Sequence, residues 1–431
     1  MRIDGTGSAG ITRQRFQGID FFDDSFGRGF LMVHAGGQTY RLQVFNDNAT
    51  ALNISIPSDP NDDKVPQIFG VQADRYFIVQ DGSSRPLIYD GANSRRASSD
   101  EVPIGTGPMA YGMGRLWVAQ GNEYLAGDIL GGDTGVLKFT ENTYLNEGGS
   151  FTVPLRSGSI TAMTFVASPN TALGQGELLI ATPDTVYSTV VPTDRTIWKD
   201  LSDPVQRIML INNGSMSQYS TVLVNGDVYM RSRDGVRSVI QAVRDFSQAG
   251  NVPISREMQR AFSSDDAGLL KYSSAVLFDN RLLMTTSANA MSNGAYFSGI
   301  ASLDFDLLSA IGERRPPVWE GVWSGFNVLR LIKGRFNGVE RAFAVVQNRT
   351  KGFVSSVIVK TPGTYGTFDP TGVTVKNFDG TNSTLEVTAK FRWDIPPFIA
   401  NAGTGYAVGN TVTLTGPSPK TKDAVYIVTS V

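Results

Sequence analysis

The sequence predicts an all-β fold, a β-propeller of six or seven blades with a small C-terminal β module. Three observations predict it. A unit of apolar strand, tight polar turn and second strand recurs seven times. The units begin about 52 residues apart on average, close to the period of propeller repeats. The 431 residues also include 46 glycines and 18% charged residues, a composition typical of turn-rich β proteins.

The most regular of these units covers residues 115–129. Its first strand is apolar and β-prone, and it leads into a turn at Gly121 and Asn122, residues that tolerate positive φ. A second strand follows from Glu123. The whole set of units covers residues 29–44, 75–89, 115–129, 177–190, 227–240, 281–303 and 341–358.

A further apolar strand precedes most of these hairpins, as the inner strand of a propeller blade would. These strands are predicted at residues 67–71, 160–165, 220–224, 274–278 and 326–331. The alternative all-β fold is a β-sandwich with long insertions, which also has regularly spaced strands but lacks the order of single strand and then hairpin. In the propeller, burial of each large aliphatic side chain stabilises by roughly 1.5 to 3 kcal/mol. The residues expected in the core are Leu116, Val118, Leu178, Ile180 and Leu282.

Changes in composition divide the chain into three regions. Residues 1–20 are predicted to be a flexible N-terminal arm, since glycine, threonine and serine follow Met1 closely. Residues 21–358 carry the propeller pattern. Residues 359–431 are rich in glycine, threonine and valine and predict a separate small β module. Within the propeller, residues 253–262 contain good helix formers and predict one short surface helix.

Charge and cysteine content exclude several classes of function. The chain has 38 basic and 40 acidic residues, with no long basic run that would indicate specific nucleic-acid binding. No stretch is apolar enough to predict a membrane span, and the N-terminus lacks the apolar core of a signal peptide. The absence of cysteine excludes disulfides and thiol catalysis and favours assembly in a reducing cytoplasm. No cofactor is predicted.

Two motifs that could bind a ligand are better explained as loops. Gly105 to Gly107 has the spacing of a dinucleotide-binding turn, but prolines flank it and a strand follows where the helix should begin. Asp128 and Asp133 with their intervening glycines could ligate Ca²⁺, but they do not have the spacing of a calcium loop. We therefore predict no metal site.

The candidates for catalysis are few. His34 is the only histidine, so a catalytic triad or a multi-histidine metal site would depend on it, and it is predicted to be structural. Asp304 and Asp306 could lie on one face of a strand, and two converging carboxylates can hydrolyse a glycoside. The adjacent acidic pairs are interpreted as solvated loops: Asp23–Asp24, Asp62–Asp63 and Asp265–Asp266.

One segment has the composition of a protein interface. Arg314 and Arg315 precede a proline pair, and Trp319 and Trp323 follow it. Arginine and tryptophan are the residues that most often anchor protein–protein contacts. These four residues are therefore interface candidates, although the sequence favours the alternative that one or both tryptophans pack into the core.

Three stretches resemble virion structural proteins of tailed bacteriophages, in particular the propeller-bearing tail-nozzle and head-stabilisation proteins of short-tailed phages. They are residues 84–91, 109–119 and 225–238. The resemblance covers roughly residues 21–358 in general sequence character and not through a defining motif. The stretch around Tyr406 is similar to small β modules of phage structural proteins, which adds Tyr406 to the interface candidates.

The resemblance implies a non-enzymatic ring component at the tail or head-to-tail axis of a virion, assembled in the host cytoplasm. Its expected partners are other copies of the chain and neighbouring virion proteins, with the genome passing nearby but not bound specifically. The alternative is a propeller-fold protein that binds or degrades glycans, with Asp304 and Asp306 as its acids.

Overall fold

The structure is a computed structural model. It describes residues 15–45, 48–129, 134–140, 150–166, 176–192, 194–195, 198, 206–224, 226–239, 252–287, 299–305, 317–324, 327–336, 338–347, 356–361, 364–365, 374–376, 386–388, 398–401, 408–415, 420–422 and 424–430.

The chain divides into two compact units, Met1–Val346 and Gln347–Val431. The first unit is an all-β propeller, as the sequence predicts. Its blades are antiparallel sheets whose strands follow one another in chain order. The first three blades contain β1 (Phe16–Asp23), β2 (Gly29–Ala35), β3 (Gln38–Phe45) and β4 (Asn48–Asn53); β5 (Phe69–Ala73), β6 (Tyr76–Gln80), β7 (Leu87–Tyr89) and β8 (Ser94–Arg96); and β9 (Met109–Gly112), β10 (Arg115–Gln120), β11 (Glu123–Ala126) and β12 (Ser150–Thr152).

Three further blades complete a set of six. They contain β13 (Ala162–Val166), β14 (Glu177–Ala181), β15 (Thr185–Thr189) and β16 (Gln206–Ile211); β17 (Val222–Val224), β18 (Asp227–Ser232) and β19 (Gly235–Ser238); and β20 (Ala275–Phe278), β21 (Arg281–Thr286), β22 (Gly299–Asp304) and β23 (Val318–Ser324). A two-stranded sheet of β24 (Asn327–Phe336) and β25 (Val339–Gln347) follows them.

The inner strands form a closed ring. Strand β1 packs on β5, β5 on β9, β9 on β13, and β17 on β20. The turn of 3₁₀ helix at Gln218–Ser220 joins β13 to the fifth blade: Gln218 Oε1 accepts from the Met163 N–H, and Gln218 Nε2 donates to the Met163 carbonyl. Strand β24 contacts both β20 and β1, so the two-stranded sheet closes the circle between the sixth and first blades.

Alternate residues of each blade strand pack against opposite neighbours, as the two-residue period of a strand requires. On β10, Leu116 and Val118 join the cluster that contains Ile78 of the second blade, whereas Trp117 joins the cluster that contains Ile180 of the fourth blade. Strands buried on both faces read as continuous apolar runs, which is why the hairpins were visible in the sequence. All residues expected in the core are buried: Leu116, Val118, Leu178, Ile180 and Leu282.

Helical structure among the described residues is short. The predicted surface helix is confirmed in place as a 3₁₀ turn at Arg256–Met258 followed by α1 (Gln259–Phe262). The other 3₁₀ turns are Gly135–Leu137, Leu155–Ser157 and Leu270–Tyr272. Among the described residues, no helix has the length and apolar character needed to span a bilayer.

Two predicted boundaries differ from the structure. Residues 16–20 of the predicted arm belong to β1, which pairs with β2 and brings Phe22 into the core. The seventh predicted hairpin is wrong: β25 pairs with β24, and the segment expected to pair with it, β26 (Ser356–Thr361), instead pairs with the last strand of the second unit. Its consecutive valines and isoleucine fit either partner, so the local pattern did not fix the pairing.

The second unit is also built of antiparallel strands. A four-stranded sheet has the order β26-β33-β31-β28, and two-stranded sheets pair β27 with β32 and β29 with β30. Their bounds are β27 (Thr364–Tyr365), β28 (Thr374–Lys376), β29 (Glu386–Thr388), β30 (Phe398–Asn401), β31 (Thr411–Thr415), β32 (Lys420–Lys422) and β33 (Ala424–Ser430). The unit begins at Gln347, earlier than the residue predicted for the start of the module.

Candidate functional site at the propeller axis

A cavity of about 400 Å³ lies where the inner strands converge. Each blade and the two-stranded sheet contribute to its wall, since residues from β1, β5, β9, β13, β17, β20 and β24 all line it. A volume of this size falls within the usual range for small-molecule sites, roughly 300 to 1,000 Å³. Its apolar wall includes Ile19, Val71, Met109, Met163, Val276 and Leu331.

Tyr219 reaches across the axis from the fifth blade to the first and second. Its hydroxyl lies 3.4 Å from Asp20 Oδ2 and 3.4 Å from the Ile68 carbonyl oxygen. Its ring stacks on Phe69 with centroids 6.1 Å apart and planes 3° from parallel. Burial, and next the nearby Asp20 carboxylate, raise the pKa of the Tyr219 hydroxyl, so the side chain stays neutral and can donate to Asp20. Tyr219 thus joins blades that are distant in the sequence.

Arg330 on β24 lies against the Tyr219 ring. Its guanidinium carbon is 3.3 Å from the ring centroid, a cation–π arrangement. The side chain is buried, and its Nε and Nη1 atoms find no acceptor among the described residues. Buried N–H groups without acceptors are costly, and the cation–π contact with the Tyr219 ring offsets part of that cost.

Asp20 on β1 is the carboxylate of this site. Its Oδ2 lies 3.2 Å from His34 Nε2, and His34 Nδ1 lies 3.0 Å from Thr39 Oγ1. The neutral His34 tautomer with a proton on Nε2 satisfies both contacts, since it donates to Asp20 and accepts from Thr39. Gly70 leaves room for the carboxylate, because a Cβ at that position would lie 2.6 Å from Asp20 Oδ2. His34 is therefore a buried support of Asp20, in agreement with the structural role predicted for it.

The acids proposed for glycoside hydrolysis do not meet at this cavity. Asp304 ends β22 and is nearly buried, and its Oδ2 lies 3.5 Å from Arg281 Nη2. Arg281 also contacts Glu320 on β23, at 3.3 Å. Asp304 is not among the residues that line the cavity. Asp306 lies outside the described residues, so the predicted pair stays a prediction.

The two tryptophan candidates differ in environment. Trp319 is buried: its ring packs edge to face on Phe262, and its Nε1 donates to the Ile254 carbonyl. Trp323, on the same outer strand β23, has 51% of its surface exposed. Trp323 therefore remains an interface candidate, whereas Trp319 is part of the core, the alternative interpretation made from the sequence. Arg314, Arg315 and Tyr406 lie outside the described residues.

The remaining sequence motifs have structural roles. Gly105 to Gly107 forms a loop held by Gln80, whose Oε1 accepts from the Gly105 N–H and whose Nε2 donates to the Gly107 carbonyl. Asp128 Oδ2 accepts from the N–H and hydroxyl of Thr140, at 2.7 and 2.6 Å. Its predicted companion Asp133 lies outside the described residues. Within the described part of the chain, no three His, Asp or Glu side chains group as metal ligands would.

Two acidic pairs interpreted as solvated loops are instead partly buried: Asp23–Asp24, in which Asp23 ends β1 and the Asp24 side chain is 7% exposed, and Asp265–Asp266. Asp265 forms an ion pair with Arg231 of β18, with Oδ2 and Nη2 2.9 Å apart, and both side chains are almost fully buried. Its neighbour Asp266 accepts a hydrogen bond from the Gly268 N–H in an ordinary turn. The sequence did not predict this ion pair. Side chains of β18 alternate between its two faces, so Arg231 is expected on an exposed face.

No protein-family model and no curated protein matches the sequence. Solved structures align with it at low identity. The extracellular domain assigned to a one component system of B. thetaiotaomicron aligns with a TM-score of 0.43 and 10% identity, over 83% of this chain and 42% of that chain. A structure of BBS1N in complex with ARL6DN aligns with a TM-score of 0.33 and 12% identity, over 52% of this chain and 61% of that chain. The chain thus spans less than two thirds of either protein's length, and such likeness carries no information on ligand or partner.

Proposed function

We propose that the chain is a non-enzymatic structural component of a larger particle, a virion protein of a tailed phage that forms a ring at the tail or head-to-tail axis. The observation that carries the proposal is the exposure of large apolar side chains on the outermost strands of two blades. On β16 these are Ile208 and Ile211, and on β23 they are Val318 and Trp323.

Within the described part of the chain, no further strand pairs with the outer edge of β16 or β23, and isolated proteins usually cover such edges with charge or proline. Apolar side chains on two open edges fit contacts with neighbouring subunits instead. The fourth and sixth blades are two positions apart in the ring, so one copy can present two lateral surfaces, as a member of a closed ring must. The phage class comes from the resemblance of residues 84–91, 109–119 and 225–238.

A first test replaces the exposed tryptophan. Trp323→Ala is expected to leave the melting temperature close to that of the wild type, because the ring is half exposed in the monomer. If Trp323 anchors a subunit contact, its truncation costs about 2 kcal/mol or more per contact. The variant should therefore be taken into particles less often than the wild type, measured by quantitative mass spectrometry of purified particles.

The matched control is Phe26→Ala. Phe26 is 81% exposed but lies in the turn between β1 and β2, away from the outermost strands. The Phe26→Ala variant should enter particles as often as the wild type does. Normal incorporation of the Trp323 variant would remove β23 as an interface strand.

A second test concerns the C-terminal unit. A chain that ends at Gln347 should retain a cooperative melting transition, because the first unit has its own hydrophobic clusters between blades. We expect the truncated protein to lose its association with particles while it stays soluble. Circular dichroism and size-exclusion chromatography measure the first property, and particle incorporation measures the second. Insoluble or unfolded truncated protein would show instead that the second unit is needed for the propeller to fold.

The alternative function, glycan binding or degradation, makes a different prediction. It requires a second carboxylate that converges with Asp304. Release of reducing sugar by the wild type that disappears in Asp304→Ala would overturn the structural proposal.

A further inference from the structure

We propose that the axial cavity binds an organic cation, an alkylammonium or guanidinium group, with Asp20 as its anionic anchor. The proposal goes beyond the structural role of the particle protein, since it assigns a ligand to the inside of each propeller.

The charge of the lining residues is the first observation behind the proposal. Asp20 is the one carboxylate among the described residues that line the cavity, and Lys333 is the one cation. The Lys333 ammonium lies 2.9 Å from Glu340 Oε1 on β25 and is thereby neutralised. Among the residues that line the cavity, the carboxylate of Asp20 therefore carries the charge that remains.

The hydrogen bonds that Asp20 accepts are the second observation behind the proposal. Its Oδ2 accepts hydrogen bonds from His34 and Tyr219, while Oδ1 accepts no hydrogen bond within the described part of the chain. Arg330 lies over the face of the Tyr219 ring and forms no ion pair with Asp20 among the described residues. A carboxylate oxygen in a partly enclosed site favours a ligand that donates to it.

The wall of the cavity selects the class of ligand. Its aliphatic side chains suit an alkyl stem, and the rings of Tyr111 and Phe165 are of the kind that attracts a cation. A metal ion would need further oxygen or nitrogen ligands beside Asp20, which the described residues do not group. An anion would be repelled by Asp20. An alkylammonium or guanidinium group, free or on a basic side chain of a partner, meets all three conditions.

The test measures binding to the full-length protein by isothermal titration calorimetry. The probes are agmatine, a free small cation, and the peptide acetyl-Gly-Arg-Gly-amide, which presents the same guanidinium on a chain. We expect at least one probe to bind the wild type, and Asp20→Asn to weaken that binding about tenfold or more, because the charge is removed while the shape is kept. Asp304→Asn is the matched control, since its carboxylate lies off the cavity, and it should bind as the wild type does.

A second variant keeps the proposal testable if Asp20→Asn does not fold. Thr164 lines the cavity and is partly exposed, so Thr164→Lys should fold and place an ammonium in the site. It should abolish probe binding without lowering the melting temperature appreciably. Tighter binding of agmatine points to a free small cation, and tighter binding of the peptide points to a basic side chain of a partner; either supports the proposal. Failure of both probes to bind the wild type at millimolar concentration, or equal binding by the wild type and a folded Asp20→Asn or Thr164→Lys variant, would overturn it.

Discussion

Replacement of Trp117 by alanine is expected to lower the free energy of unfolding by about 3 to 5 kcal/mol, the range measured for truncation of large buried aromatic side chains. Trp117 is fully buried between the third and fourth blades. Its ring stacks on Trp198 with centroids 6.3 Å apart and lies 6.2 Å from Tyr124. The truncation leaves a large cavity, because neighbouring strands are fixed in their sheets and cannot collapse into it. Urea denaturation at equilibrium, followed by circular dichroism, measures the loss.

The control for this prediction is Trp323→Ala, which removes the same side chain from an exposed position. Its free energy of unfolding should change by about 0.5 kcal/mol or less. Similar losses for the two variants would mean that the packing between the third and fourth blades does not stabilise the propeller as described.

Replacement of Asp265 by alanine should have an effect of similar size, about 3 to 5 kcal/mol, because it leaves Arg231 as a buried cation without its partner. The Arg231 guanidinium also donates to the carbonyls of Ser232 and Phe262, but these carry no full negative charge. The double variant Arg231→Met with Asp265→Ala should recover part of the loss, since methionine can occupy the site without a charge.

Asp266→Ala is the adjacent control. The side chain of Asp266 accepts one backbone hydrogen bond in a turn and forms no buried ion pair, so its loss should cost about 1 kcal/mol. Equal destabilisation by the two single variants, or a double variant as unstable as Asp265→Ala, would contradict the role assigned to this ion pair.

The blades could be predicted from the sequence because their evidence is local. In each of six hairpins, an apolar strand that is largely buried, a turn and a second strand follow one another in the chain, and glycine has positive φ in four of the turns, at Gly36–Gly37, Gly82, Gly121 and Gly235. On β10 the residues of both faces are apolar, which fits a strand covered by a blade on either side. Chain connectivity then makes consecutive hairpins neighbours in the ring.

The axial site could not be predicted because its contacts join residues far apart in the chain. The Tyr219 hydroxyl meets a carboxylate 199 positions away, and Arg330 reaches the same ring from β24. Neither residue lies in a motif, and a tyrosine next to a glutamine and a serine resembles any polar loop. Burial of Trp319 but not Trp323 depends on a register shift opposite Ser302 and Leu303, which the sequence of one strand does not reveal.

We propose that this propeller is a structural part of an assembled particle. Cryo-electron microscopy of particles purified from infected cells, with the six-bladed domain fitted into the map, tests this proposal. The proposal predicts several copies arranged in a ring about the tail or head-to-tail axis, with β16 or β23 of each copy against a neighbouring subunit. Complete particles that lack the propeller, while the protein is recovered only outside them, would contradict it.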